Sequence, residues 1–113
     1  MKNLNVGLVK GRHEIPAVSE YIFESINDVL DFEALEQGAA EFFKDNKDSH
    51  VTVYVTGLTA ATIAVIKASK VMTEGSLSFA HYNRDTETYL VQDGFTIHPT
   101  EPGYYCSGAS VLE

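Results

Sequence analysis

Three short stretches of this chain hold residues that could do chemistry together. Arg12-His13-Glu14 supplies a permanent cation, an imidazole and a carboxylate in succession. Thr56-Gly57-Leu58-Thr59 sets two hydroxyls around a glycine, and His81-Tyr82-Asn83-Arg84 brings a second guanidinium beside an amide. A guanidinium can hold a phosphate through paired N–H donors. An imidazole titrates near neutrality without help, so it can give or take a proton. A glycine lets an anion approach the main chain, because no Cβ stands in the way. The chemistry on offer is recognition of a phosphate-bearing ligand. Arg12, Thr56, Gly57 and Thr59 would hold it, Asn83 and Arg84 would ring a base or a second phosphate, and His13 would act as general acid or base.

Each stretch also has a plain structural reading. Thr59 suits a helix N-cap, Arg12-His13-Glu14 suits a solvated loop, and Asn83 and Asp85 are ordinary turn residues. The turn at Gly57 lacks the lysine of a Walker A loop and the three glycines of a dinucleotide fingerprint. His13, His50, His81 and His98 are too scattered for metal-ligand spacing, so no metal and no cofactor is expected.

The elements that must position these residues are organised around residues 51–70. Val51, Val53 and Val55 alternate with Thr52, Tyr54 and Thr56, which predicts a strand over 51–56 with apolar surroundings on both sides. After the Gly57 turn, a helix over 60–70 is apolar nearly all round and should be covered on most faces. A first strand is expected over 4–10. A helix over 32–45 follows from the stripe Phe32, Leu35, Ala39, Phe42 and Phe43, with Asp31 as its cap. Residues 17–30 read as a short helix, since Val18, Ile22, Ile26 and Val29 recur at roughly helical spacing after Pro16. An extended strap is the alternative, because Tyr21-Ile22-Phe23 is good strand material. Residues 76–82 and 87–92 should form a hairpin across Asn83–Thr86. Asp93-Gly94 would then start another turn before a short edge strand at 95–98. Tyr21, Phe23, Phe32, Phe42, Phe43 and Phe79 are most simply core.

The fold class is α/β: a small single domain over 1–98, followed by a flexible tail over 99–113. About 40 residues separate the strands at 4–10 and 51–56, enough for a crossover between parallel neighbours. The sheet would be parallel at its centre and antiparallel at the hairpin. Ligands in open α/β sheets bind outside the carboxyl ends of the strands. That edge would bring Arg12 and His13 to Thr56, Gly57 and Thr59.

Composition excludes several partners. A net charge of −8 from 16 acidic and 8 basic residues leaves no basic stripe for duplex nucleic acid. It still permits one local anion site. A single cysteine, Cys106, rules out an internal disulfide. No apolar run is long enough for a membrane span, and no signal peptide is evident, so a cytoplasmic protein without a membrane partner is expected.

The strand, the Thr56-Gly57-Leu58-Thr59 turn and the Ala-rich helix after it resemble the strand–turn–helix of CRISPR-associated Rossmann-fold (CARF) domains and small ring nucleases. Arg12-His13 after the first strand is similar to what some small members carry. The resemblance spans roughly residues 4–70 and rests on about six positions. Such turns usually hold a second glycine and a following lysine, where this chain has Leu58 and Ala60. What the resemblance implies is binding of a nucleotide such as a cyclic oligoadenylate, in a defence or mobile-element context, with slow phosphodiesterase activity. The alternative is a protein–protein interaction or self-assembling module without a small ligand, using its acidic surface and edge strands to form a homo-oligomer or hold a partner.

Overall fold

The computed structural model describes residues 2–11 and 15–97. The chain runs β1 (Asn3–Val9), β2 (Glu20–Phe23), α1 (Phe32–Asp45), β3 (His50–Tyr54), α2 (Thr59–Ala68), a 3-10 turn (Ser69–Val71), β4 (Gly75–Asn83) and β5 (Thr88–Ile97). One sheet holds all five strands in the order β2-β1-β3-β4-β5. Every neighbouring pair is parallel except β4 and β5. The expected α/β fold, with a parallel centre and an antiparallel hairpin, is the observed one. The strands near 4–10 and 51–56 are direct parallel neighbours, with Leu4 opposite Val51 and Val6 opposite Val53.

The strand order fixes which face each connection crosses. Parallel crossovers are right-handed. From β2 to β3 and from β3 to β4 the chain steps the same way across the sheet, so α1 and α2 share one face. From β1 to β2 it steps the other way, so that connection crosses the opposite face. The side chains agree. Val6 and Leu8 are fully buried in one cluster with Phe43 of α1 and Val65 of α2. Gly7, between them, points away, and a Cβ there would strike the Tyr21 ring at 2.6 Å and lie beside Val18. Ile15 is buried at the start of this connection. The Ser19 N–H donates to the Asn5 carbonyl at 3.2 Å.

The helical layer is built from complementary sizes. Leu35, Ala39 and Phe43 form the buried stripe of α1, and Ala61, Ala64, Val65 and Ala68 that of α2. Small residues let α2 approach the valines and leucines of β1, β3 and β4 closely. Gly38 does the same for α1: a Cβ there would sit 3.2 Å from the Phe23 ring. Asp31 caps α1, its Oδ1 accepting from the Ala34 N–H at 3.2 Å, as the sequence predicts.

Four expectations are corrected. Residues 17–30 form no helix; they are an extended strap and the short strand β2, because Tyr21-Ile22-Phe23 finds an open sheet edge beside β1. Asp93-Gly94 does not start a turn: β5 runs straight through it, absorbing one extra residue as a bulge opposite Leu77 and Ser78. Phe32 is not core but 62% exposed at the start of α1. α2 is less covered than its composition suggests, since Ile63 is 50% exposed and Ile66 37% on the side away from the sheet.

Gly75 is the tightest backbone position. Its φ is +112°, and a Cβ there would overlap the Ser49 carbonyl group. Both the strained angle and the backbone clash act against any side chain, so Gly75→Ala should lower unfolding free energy in urea by about 3 kcal/mol. Removing the buried Phe43 ring with Phe43→Ala should cost about 3–5 kcal/mol. A Gly75→Ala protein with unchanged midpoint would contradict the packing described here.

Candidate functional site

The direction of the chain across the sheet reverses between β1 and β3. Their connections leave to opposite faces at that junction, the place where open α/β sheets bind ligands outside the carboxyl ends of their strands. Two glycines stand there in left-handed conformations: Gly11 after β1, with φ +87°, and Gly57 after β3, with φ +88°. Neither has an atom within 4 Å of where a Cβ would sit. Among the described residues, nothing fills the position of a Cβ at either turn.

The start of α2 shows what the crevice offers. The N-cap is Leu58, which makes no side-chain cap bond. Thr59, expected as the cap, is the first helical residue and is exposed. The first helical bond runs from the Thr62 N–H to the Leu58 carbonyl at 2.9 Å. The N–H groups of Thr59, Ala60 and Ala61 thus lack intrahelical partners, and the helix adds about half a positive charge at this end. Three residues before Thr59 in the chain, the Thr56 Oγ1 is buried and has no hydrogen-bond partner among the described residues, as is also true of the Ser49 Oγ before β3. A buried hydroxyl without a partner is uncommon, since leaving one unmade costs about 1–3 kcal/mol.

The other site residues divide. Arg12 and His13 lie outside the described residues, as does Glu14, directly after Gly11 in the chain. Lys10, the last described cation of that turn, reaches Glu24 at 3.8 Å across exposed surface. Asn83 and Arg84 are raised above the same edge, because β4 continues three residues past Ala80, its last partner on β3. Asn83 is engaged in the turn: its Oδ1 accepts from the Asp85 N–H at 2.9 Å, and its carbonyl accepts from the Glu87 N–H at 2.7 Å. Arg84 is exposed at the tip. No hydrogen bond or ion pair joins this tip to the Gly57 turn among the described residues. His81 bonds Gln92 at 2.8 Å, and His50 bonds Ser76 at 2.8 Å near the opposite edge. No group of metal-binding side chains occurs among the described residues.

No family model matches this chain, and no match was found to a curated protein or to a solved structure. The functional reading rests on the geometry of the crevice itself.

Two features were missed from the sequence. Gly11 mirrors Gly57 but sits in an ordinary loop motif with no local signal of a left-handed turn. The second is a tyrosine cluster on the strap face, beside the crevice. Tyr54 packs edge-on to Tyr89 at 4.8 Å, and Tyr89 packs on Tyr82 at 5.3 Å. The residues opposite Tyr54 on its two neighbours are Gly7 and Ala80, small enough for rings to lie over them. Glycine or alanine opposite an aromatic is the signal that could have found it. A hollow of about 180 Å³ at the end of β2 is lined by Ser25, Asn27, Asp28 and Asp31. Its carboxylates repel anions and already bond the Leu30 and Ala34 N–H groups.

Burial raises the Tyr89 phenol above its ordinary value of 10.0, and negative charge on Tyr82 and Tyr54 would raise it further. The folded state then holds this proton more tightly than the unfolded chain. The stabilisation is complete below the ordinary value and is lost as pH rises through the shifted one. An alkaline absorbance titration should contain a phenol that ionises above the ordinary value, and Tyr89→Phe should remove that late step. Uniform titration would contradict the packing of the cluster.

Proposed function

We propose that this protein binds a nucleotide or another small phosphate-bearing ligand in the crevice between β1 and β3. The observation that carries the reading is the uncapped start of α2, with the unpaired Thr56 hydroxyl in the turn that leads into it. Among the described residues three N–H groups without partners and a helix dipole stand at this turn and suit an anion's oxygens, and the Thr56 hydroxyl, buried beside Gly57 in the chain, would join them once a ligand opens the turn. The protein's surface charge of −8 acts at a distance and is screened within about 8 Å at physiological salt. The donors act within hydrogen-bonding distance. Arg12, following Gly11, is the side chain to complete the cradle with a charge-assisted pair of bonds.

Slow phosphodiester hydrolysis is the chemistry such a cradle would support. The turn N–H groups and Arg12 would stabilise charge developing on the phosphoryl oxygens. His13 would take a proton from the attacking water or return one to the leaving oxygen. The likeness of the turn to CRISPR-associated Rossmann-fold domains makes cyclic oligoadenylates the first ligands to try, with a defence or mobile-element role as the context.

Calorimetric titration of the protein and its variants tests this reading. Losing a charge-assisted contact in Arg12→Ala should weaken binding by about one to two orders of magnitude. Gly57→Val should abolish it, whereas Gly57→Asn should keep the turn, since asparagine tolerates the left-handed region. Thr56→Val should weaken the ligand while leaving stability unchanged or raised, because it removes an unpaired buried hydroxyl. Equal affinity in Thr56→Val and the parent would show that the hydroxyl faces no ligand.

A further inference from the structure

The sheet ends in a strand whose outer edge no other strand covers among the described residues. β5 is ten residues long and is last in the sheet order. Protected edges carry lysine, proline or inward charges, or are very short. Thr88–Ile97 has no Lys, no Arg and no Pro, and Asp93 is its single charge. Leu90 is 57% exposed on the helix face and Val91 61% on the strap face. The edge offers unpaired main-chain groups flanked by apolar side chains, and the chemistry that satisfies it is another extended strand.

We infer that β5 pairs antiparallel with β5 of a second copy of this chain, joining the two sheets across a two-fold axis. The strand's own sequence selects the register. The bulge at Gly94 confines regular alternation to residues 88–93. A two-fold axis normal to the sheet keeps each face on its own side, so only residues of one face can stand opposite each other. Centring on Leu90 would bring Asp93 of the second copy to the hairpin turn at Glu87, two like charges. Centring on Gln92 would set Tyr89 opposite Phe95, which the bulge has put on the other face. Centring on Val91 sets Val91 opposite Val91, Leu90 opposite Gln92, and Tyr89 opposite Asp93. In that register the apolar centre is covered on the strap face, and each Asp93 stands opposite the uncharged Tyr89 instead of another carboxylate. The edge is complementary to itself, which is why the partner is a second copy and not an arbitrary strand. The surface is distinct from the crevice, and the pairing does not depend on a ligand there.

Two copies of net charge −8 repel, so the association should strengthen as salt screens them. Sedimentation of the full chain should show a concentration-dependent dimer, more populated at high than at low ionic strength. Val91→Glu sets like charges against each other at the axis and should return the protein to monomer with an unchanged circular dichroism spectrum. As a second measurement, Val91→Cys in a Cys106→Ser background should oxidise rapidly to a disulfide-linked dimer, because the two positions are directly opposite. Thr96→Cys, outside the paired stretch, should cross-link far more slowly. A monomer at every salt concentration overturns the proposal, and so does a dimer that appears only when residues 98–113 are removed, since those residues would then hold the edge. A dimer that survives Val91→Glu, or equal cross-linking from both cysteine positions, overturns it as well.

Discussion

Parallel pairing of β1 with strands on both of its sides is the constraint on which the rest of the structure depends. A chain can reach a parallel neighbour only by a crossover, and crossovers keep one hand. Stepping from β1 to β2 and then back past β1 to β3 therefore sends the two connections over opposite faces. The strap with Ile15 and Val18 takes one face, and α1 with α2 takes the other. From that follow the burial of Val6 and Leu8 against the helices, the close approach of Tyr21 to Gly7, and the open junction above β1 and β3. The junction is a consequence of strand order, and a left-handed glycine stands in the turn after each of its two strands.

Electrostatics at this junction work against the average of the molecule. The chain as a whole is acidic, but main-chain N–H groups at the start of α2 carry no competing side-chain cap. A serine or aspartate at the Leu58 position would have satisfied one of them. Leaving them open costs stability, as does the unpaired hydroxyl of Thr56.

Legibility from the sequence followed the strength of local signals. The valine alternation in β3 and the stripe and Asp31 cap of α1 are strong, and both elements lie where their patterns place them. The Gly57 turn was legible too, because a glycine between a strand and an Ala-rich helix has few other uses. Residues 17–30 misled because Val18, Ile22, Ile26 and Val29 repeat at helical spacing, while the deciding factor was an open edge on β1 that no local window contains. Asp93-Gly94 misled because its turn chemistry was overridden by pairing with β4, where glycine was needed for the bulge: a Cβ at Gly94 would lie 2.5 Å from the Leu77 carbonyl oxygen. The same limit hid the tyrosine cluster, whose members come from three strands, and the role of Gly11. Cap identity at α2 turned on one residue, and threonine's preference for the cap lost to the geometry of the turn after Gly57.

The central claim is that the junction of β1 and β3 is a binding crevice and not merely a place where two loops part. Amide chemical shifts of the whole labelled chain, followed through a titration with a nucleotide, test it most directly. The account predicts that the largest changes fall on Gly57 to Ala61 and on Gly11 with the residues after it, two turns distant in sequence but joined by strand order. The amides near Ser49 and Gly75, at the opposite edge, should stay in place. Shifts scattered over the acidic surface, or none at either turn at millimolar nucleotide, would contradict it.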